Sequence, residues 1–581
     1  MANTLLDLFE KNPQLLEWRD KVTLLSRQLV MGFSGSSKAV VMASALSEQV
    51  PKILIVTSTQ NEAEQLTGDL SAILGEDKVY SFFADDVVAA EFIFASPEKT
   101  HSRLESLNFL MDKESSGILV TSLVGTKLHL PNPEVYKDSR IDLTLGEEHD
   151  LEALSKHLTH IGYQRVEQVL LPGEFSRRGD ILDIYELTAE LPYRLEFFGD
   201  EIDGIRQFDS DSQKSLDNLE HIIVSPADDI ILTREDYQRA EKALESAVSK
   251  AEGPHKAYLE EVLSVTIDGY RHKDLRKFLS LFYDKAYTLF DYLPKGTPVF
   301  IDDFQKIVDR HGRLELEVAN LLTEDLHQGK SLSHLNYLVD SFKTLRNYQP
   351  ASFFSNFHKG LGNLKFDKLY QFTQYPMQEF FNQFPLLVDE IHRYTKNKAT
   401  VILQVGSEKQ LKSLKETLEE YDLDLPLSSF GDLIPHKPQL VLGNLSNGFY
   451  FADEKLVLVT EREIFHKKVK RRARASHVSN AERLKDYNEL EKGDYVVHQT
   501  HGIGQFKGIE TIEIKGVHRD YLTIQYQDAA TISLPVEQIE SLSKYVSADG
   551  KEPKINKLND GRFQKTKQKV SKQVEDIADD L

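Results

Sequence analysis

The 581-residue chain contains no cysteine. Disulfides and thiolate metal sites are excluded on that ground, and the usage suits a reducing compartment. No apolar run approaches the roughly 20 residues that a membrane helix requires. The opening stretch MANTLLDLFEKNPQ also lacks the basic-then-apolar order of a secretory signal. A cytoplasmic location and no membrane partner are therefore expected. Positive charge is in deficit: 70 Lys and Arg stand against 92 Asp and Glu, a formal net charge of −22. This balance excludes a nucleic-acid footprint spread over the whole surface, while leaving room for a local basic patch. Domains typically hold about 100–200 residues, so a chain of this length is expected to form several, each with its own core.

What is present begins with an α/β rhythm. ILIVTS (53–58) precedes the helical NEAEQLTGDLSAIL, and ILVTSL (118–123) and PVFID (298–302) follow, which predicts a parallel sheet that is interrupted and resumed. The interruption, about 140–228, reads as alternating strands, because DILDIYEL, YRLEFFGD and GIRQFD are short, aromatic and bounded by turn residues. A helical stretch of mixed charge (234–293) leads back to the sheet. A second α/β unit carries TVILQVG (400–406), the helix SEKQLKSLKETLEEY (407–421) and KLVLVTE (455–461). The basic run HKKVKRRARAS follows, and then a compact β-rich segment at 487–548.

One stretch carries a chemical question. VMGFSGSSKA (30–39), between an apolar run and a helical one, looks like a phosphate loop of the G-x-x-x-x-G-K-[ST] type with parts missing. Gly32 and Lys38 are in register. Ser37 stands where a second glycine lets backbone N–H groups close on phosphate, and Ala39 stands where a hydroxyl would ligate magnesium. Shifting the register onto Gly35 leaves Lys38 three residues away. The acids that such a site also needs are best matched by PVFIDDFQK (298–306). There Asp302 suits the metal position, but Asp303 is one methylene shorter than the glutamate that would polarise water. The expectation is a vestigial loop (Gly32, Ser37, Lys38, Ala39) with vestigial acids (Asp302, Asp303), no catalytic residue, no bound cofactor and no metal. The rivals are an ATPase or helicase built on this sheet and a DNA-binding module built on the basic run.

Two long segments carry a resemblance: GEFSRRGDILDIYELTAELPYRLEFFGDEIDGIRQFDSDSQKS and KGDYVVHQTHGIGQFKGIETIEIKGVHRDYLTIQYQDAATISLPVEQIESLSKYV. Together they resemble the bacterial transcription-repair coupling factors, and the N-terminal half is similar to the excision-repair subunit UvrB. The likeness implies a multidomain α/β protein. Its parts would be a UvrB-like RecA-type parallel sheet with an inserted α+β domain, a second small α/β domain, and a small CarD-like or SH3-like β-barrel followed by a helix. In residues, 1–139 and 229–348 would form the two parts of the degenerate nucleotide-fold domain and 140–228 the inserted UvrA-binding-like domain. Residues 365–465 would form the small α/β domain, 466–486 a basic linker, 487–548 the RNA-polymerase-interacting β domain, and 557–581 the start of an amphipathic linker helix.

For that family the resemblance implies an ATP-driven translocase on double-stranded DNA that displaces stalled RNA polymerase and recruits UvrA. Its ATP and magnesium chemistry would lie in motor lobes C-terminal to these domains. Arg178, Arg194 and Phe198 match family positions that contact UvrA, and Ile512 matches a residue on the surface that binds the polymerase β subunit. Period two supports the first assignment only in part: Tyr193, Leu195 and Phe197 share one face of a strand, Arg194, Glu196 and Phe198 the other. An exposed Phe beside an Arg suits a binding hot spot, yet a strand buried on both sides would read the same. Likewise Ile512 and Ile514 alternate with Thr511 and Glu513, as ordinary core would. UvrB's tyrosine-rich hairpin is replaced by FFADDVVAAEFIFASPE (82–98), so insertion between DNA strands is not expected.

HGIGQFKG misses the dinucleotide fingerprint by one residue and is followed by strand rather than helix. DSDSQKSLDNLE (209–220) has acids at calcium-loop positions but Lys214 at the glycine turn. His157 and His160 have no third ligand, and KKVKRRAR (467–474) reads as a solvated tether. Phe563, Val570, Val574, Ile577 and Leu581 form one helical stripe that runs to the last residue, so the chain is expected to continue.

Overall fold

A computed structural model describes residues 4–7, 12–86, 88, 92, 97–210, 212–355, 361, 364–466, 492–498, 502–514, 517–527, 530–535, 542–544 and 555. The chain divides into two compact units, 1–478 and 479–581. The basic run 467–474 and the stripe at 563–581 lie outside the described residues.

The first unit is built on a seven-stranded sheet. Its order is Lys368–Gln371, Arg27–Met31, Ala351–Ser355, Val299–Asp302, Lys52–Thr57, Gly117–Ser122, Val79–Phe82, and every pairing is parallel. Strands KILIVT and GILVTS are buried at every position, which is why they read as unbroken apolar runs. Helices cover both faces. Gln60–Leu74 starts at Thr59, whose hydroxyl accepts from the Glu62 N–H, and Arg234–Val248 starts on a Thr233/Asp236 capping box. The edge strand Lys368–Gln371 comes from the segment 365–465 that the resemblance assigns to the small α/β domain.

Between strands Gly117–Ser122 and Val299–Asp302 the chain leaves the sheet to form an inserted α+β domain. Six strands lie in the order Ser215–Leu219, Glu201–Phe208, Tyr193–Phe198, Ile181–Ile184, Glu174–Arg178, Gln164–Arg165, antiparallel except for the last pair. One face of this sheet packs Leu182, Ile184, Leu195, Phe197 and Ile205 against Leu154 and Leu158 of helix Leu151–His160. The domain returns at a buried ion cluster, where Asp229 bonds Arg103 at 2.9 Å and Arg276 at 2.5 Å.

The small α/β domain has a six-stranded sheet: Gln374–Pro376, Phe449–Phe451, Leu456–Val459, Thr400–Val405, Pro438–Leu442, Leu427–Ser428. Its centre is parallel and its Gln374–Pro376 edge antiparallel. Ile402, Val441, Phe449 and Leu458 share one apolar core with Val30, Ala39, Val40 and Phe300 of the first sheet domain.

The second unit holds a five-stranded antiparallel sheet in the order Thr531–Pro535, Val517–Gln525, Gly502–Ile514, Tyr495–His498, Leu542–Lys544. A bulge between Phe506 and Gly508, with Gly508 at φ +136°, bends the long strand. The glycines of HGIGQFKG therefore serve a bent sheet, with no helix after them.

Candidate functional site

The phosphate-loop remnant joins strand Arg27–Met31 to helix Ser36–Ala43. Gly32 sits at φ +97°, and a Cβ there would lie 2.0 Å from the carbonyl oxygen of Phe372, so only glycine fits. The close approach that a phosphate would make is made by this chain's own backbone. Beyond it, the Ser34 N–H and hydroxyl both donate to Gln374 Oε1, at 3.1 and 3.0 Å. The Ser37 hydroxyl donates to the Ser34 carbonyl at 2.7 Å, and Ala39 is packed into the apolar core.

Two of the residues singled out by sequence come together. Lys38 Nζ lies 2.6 Å from Asp302 Oδ1, with both side chains largely buried. Asp303 does not join them. It takes a left-handed conformation at φ +52° and caps helix Phe304–His327, accepting from the Lys306 N–H at 3.5 Å. The neighbouring acids are also engaged: Glu62 bonds Ser58 and Lys306, and both oxygens of Asp86 accept from the Gln60 N–H. Phe92, from the acidic stretch 82–98, is buried against Tyr337 at a ring distance of 5.3 Å.

The other site is the outer face of the inserted sheet. With Leu195 and Phe197 in the core, alternation turns Arg194, Glu196 and Phe198 outward, and Phe198 is 82% exposed. Ile181 faces the same way across the strands, opposite Glu196, and is exposed too. Arg178 is exposed, and its guanidinium donates to the Glu167 carbonyl at 2.9 and 2.5 Å. Arg194 is more deeply committed. It forms a two-pronged pair with Asp183 at 2.7 and 2.8 Å and lies 4.4 Å from the Phe208 ring centroid. The bonds to Asp183 raise its pKa against the opposing effect of burial, so its charge is fixed. The family-matched residues thus differ in kind: Phe198 projects, Arg178 lies on the surface, and Arg194 braces the sheet beneath.

In the second unit the backbone of Ile512 lies in the long strand Gly502–Ile514, paired with Arg519 across the hairpin; its side chain is outside the described residues. Among the described residues no cluster of three His, Asp or Glu could hold a metal ion. His157 and His160 stand 6.4 Å apart at the end of their helix, and residues 215–219 of the calcium-like stretch form a strand. No described helix is long and apolar enough to cross a membrane.

Comparison with known proteins follows the same division. Family models match the UvrB interaction domain over residues 141–229, the MFD D3 domain over 394–464 and the CarD-like/TRCF RID domain over 490–546. The chain is 35% identical over 569 residues to the transcription-repair-coupling factor of Bacillus subtilis (strain 168), covering 96% of this chain and 48% of that protein. It is 31% identical over 563 residues to the proteins of the same name from Staphylococcus haemolyticus (strain JCSC1435) and Staphylococcus aureus (strain MRSA252), in each case covering 95% of this chain and 48% of the relative. The chain spans about half the length of the curated relatives it matches.

Proposed function

From a chain related along almost its whole length to half of a transcription-repair-coupling factor, we propose a cytoplasmic docking module of transcription-coupled DNA repair. In this reading the inserted domain binds UvrA and the second unit binds RNA polymerase through its β subunit. ATP and magnesium chemistry, and translocation on double-stranded DNA, belong to the length of the relatives that this chain does not span. The observation that carries the reading is the outer face of the inserted sheet. A ring as large as that of Phe198 is left 82% exposed beside Ile181 and Arg178, within the region that matches the UvrB interaction domain. Aromatic and arginine side chains at the centre of a patch are what dominate protein interfaces.

The N-terminal sheet is not a nucleotide hydrolase in this account. A Cβ at Ser37, a methyl at Ala39 and a side-chain cap at Asp303 leave a nucleotide without backbone approach, metal ligand or base. At the polymerase end, an extended strand in a bent antiparallel sheet suits pairing with a partner's strand. The reading is tested by pull-down of the polymerase β subunit with the whole chain and with Ile512→Arg. Burying an unpaired charge at a strand-edge interface should cost several kcal/mol, more than about 100-fold in affinity, with circular dichroism unchanged. Undiminished binding would remove Ile512 from the interface, and a chain that captures neither polymerase nor UvrA would end the docking reading.

A further inference from the structure

The Ser34 donors of the loop remnant serve a group that belongs to another domain of the same chain. In a phosphate loop, backbone N–H groups and hydroxyls converge on anionic oxygens. Here the Ser34 hydroxyl donates to Gln374 Oε1, the Ser34 N–H is shared between that oxygen and Ser37 Oγ at 3.1 Å each, and the Ser37 hydroxyl lies 3.4 Å from the same Gln374 oxygen. Gln374 opens the edge strand of the small α/β domain. Its carboxamide nitrogen is buried with no hydrogen-bond partner, so only the oxygen of this amide is used.

A second contact stands beside the first. Asp69, in helix Gln60–Leu74, is 4% exposed. Its Oδ2 accepts from the Ser36 hydroxyl at 2.8 Å, and its Oδ1 accepts from the N–H and hydroxyl of Ser446 at 2.9 and 2.7 Å. The Asn447 N–H donates to Ser36 Oγ at 2.9 Å, and the Asn447 side chain lies 3.0 Å from where a Cβ on Gly35 would be. Ser446 and Asn447 follow strand Pro438–Leu442 of the small domain.

We propose that the degenerate loop is an internal receptor for the small α/β domain: its Ser34 donors take the Gln374 oxygen as they would an anion's, and Ser36 Oγ with Asp69 accepts from the Ser446–Asn447 turn. The proposal rests on the reading of the loop as free of nucleotide and goes further. The chain itself occupies the position, and the two domains are latched there.

Amide hydrogen exchange of the whole chain at residues 32–38 and 443–449 tests it. Gln374→Ala removes the shared acceptor and should speed exchange at Ser34 and its neighbours by about tenfold or more. Gln374→Glu should leave exchange as slow as in the unaltered chain or slower, because it replaces a nitrogen that bonds nothing and offers an anion to donors of the anion-binding kind. If Gln374→Glu opens the loop as much as Gln374→Ala does, the receptor assignment is overturned. Ser446→Ala should speed exchange on both sides of the contact together; a change confined to 443–449 would overturn the latch. Magnesium ATP added to the unaltered chain is read separately. Slower exchange at 32–38 would contradict the nucleotide-free reading, while the two Gln374 variants still judge the receptor.

Discussion

The loop remnant at 32–39 and the outer face of the inserted sheet both present polar groups at strand boundaries, and they end in opposite conditions. At the loop three side-chain donors are met from within the chain: Ser34 by Gln374, Ser36 by Asp69, Lys38 by Asp302. On the sheet face the polar side chains are braced in the same way, Arg194 by Asp183 and Arg178 by the Glu167 carbonyl, and Phe208 beneath Arg194 is buried, but Phe198 and Ile181 are left in water. Satisfied donors release little energy to a newcomer, whereas an exposed aromatic ring on a rigid support has everything to gain from a partner. On the proposed reading, this difference is what sets a retired ligand site apart from a docking site.

The largest effect is expected at the buried ion cluster where the inserted domain rejoins the sheet. Asp229→Asn leaves the buried Arg103 without its counter-charge and should destabilise the first unit by about 3–5 kcal/mol at neutral pH, read as a fall in urea midpoint. Burial pushes the Asp229 carboxyl up, but Arg276 and Arg103 outweigh it and hold it well below the usual carboxylate range. A depressed folded pKa adds stability above the unfolded value of about 4 and loses it as pH falls through that value toward the folded one. The unaltered chain should therefore hold its midpoint from neutral pH to about pH 5 and drop on further acidification, and Asp229→Asn should show a smaller acid-dependent fall. Equal slopes would put the acid sensitivity elsewhere.

A smaller effect is expected from the closed site itself. Asp69→Ala strips three donors of their acceptor and should cost about 3 kcal/mol, with affinity for UvrA unchanged because the sheet face is untouched. Weaker UvrA binding in that variant would erase the separation between the two regions. The smallest effect is none: magnesium ATP at millimolar concentration should not raise the melting temperature, since a ligand that does not bind the native state cannot stabilise it. A rise abolished by Lys38→Ala would return the loop to service.

Much of this arrangement was legible in the sequence, and the remainder was hidden for identifiable reasons. The strands at 53–58, 118–123 and 298–302 announced themselves because a strand covered on both faces leaves no polar beat. Period two in YRLEFF separated Phe198 from Leu195 and Phe197, although only the folded structure shows that its ring is uncovered. Strand Lys368–Gln371 was not legible in place, because KLYQ is a short, mostly polar edge whose partner lies 340 residues earlier. The same distance hid Gln374 from Ser34, and Asp69 lies 377 residues from Ser446. The Asp183 brace under Arg194 could have been read from register, since both fall on the outward beat of neighbouring strands.

The most direct test of the central claim is calorimetric titration of the whole chain with UvrA, with no nucleotide on the chain's side, comparing the unaltered protein with Phe198→Ala. Loss of a projecting anchor should cost about 2 kcal/mol or more, roughly 30-fold in Kd, and the melting temperature should stay where it was because the ring makes no core contact. Equal affinity of the two proteins for UvrA would contradict the account.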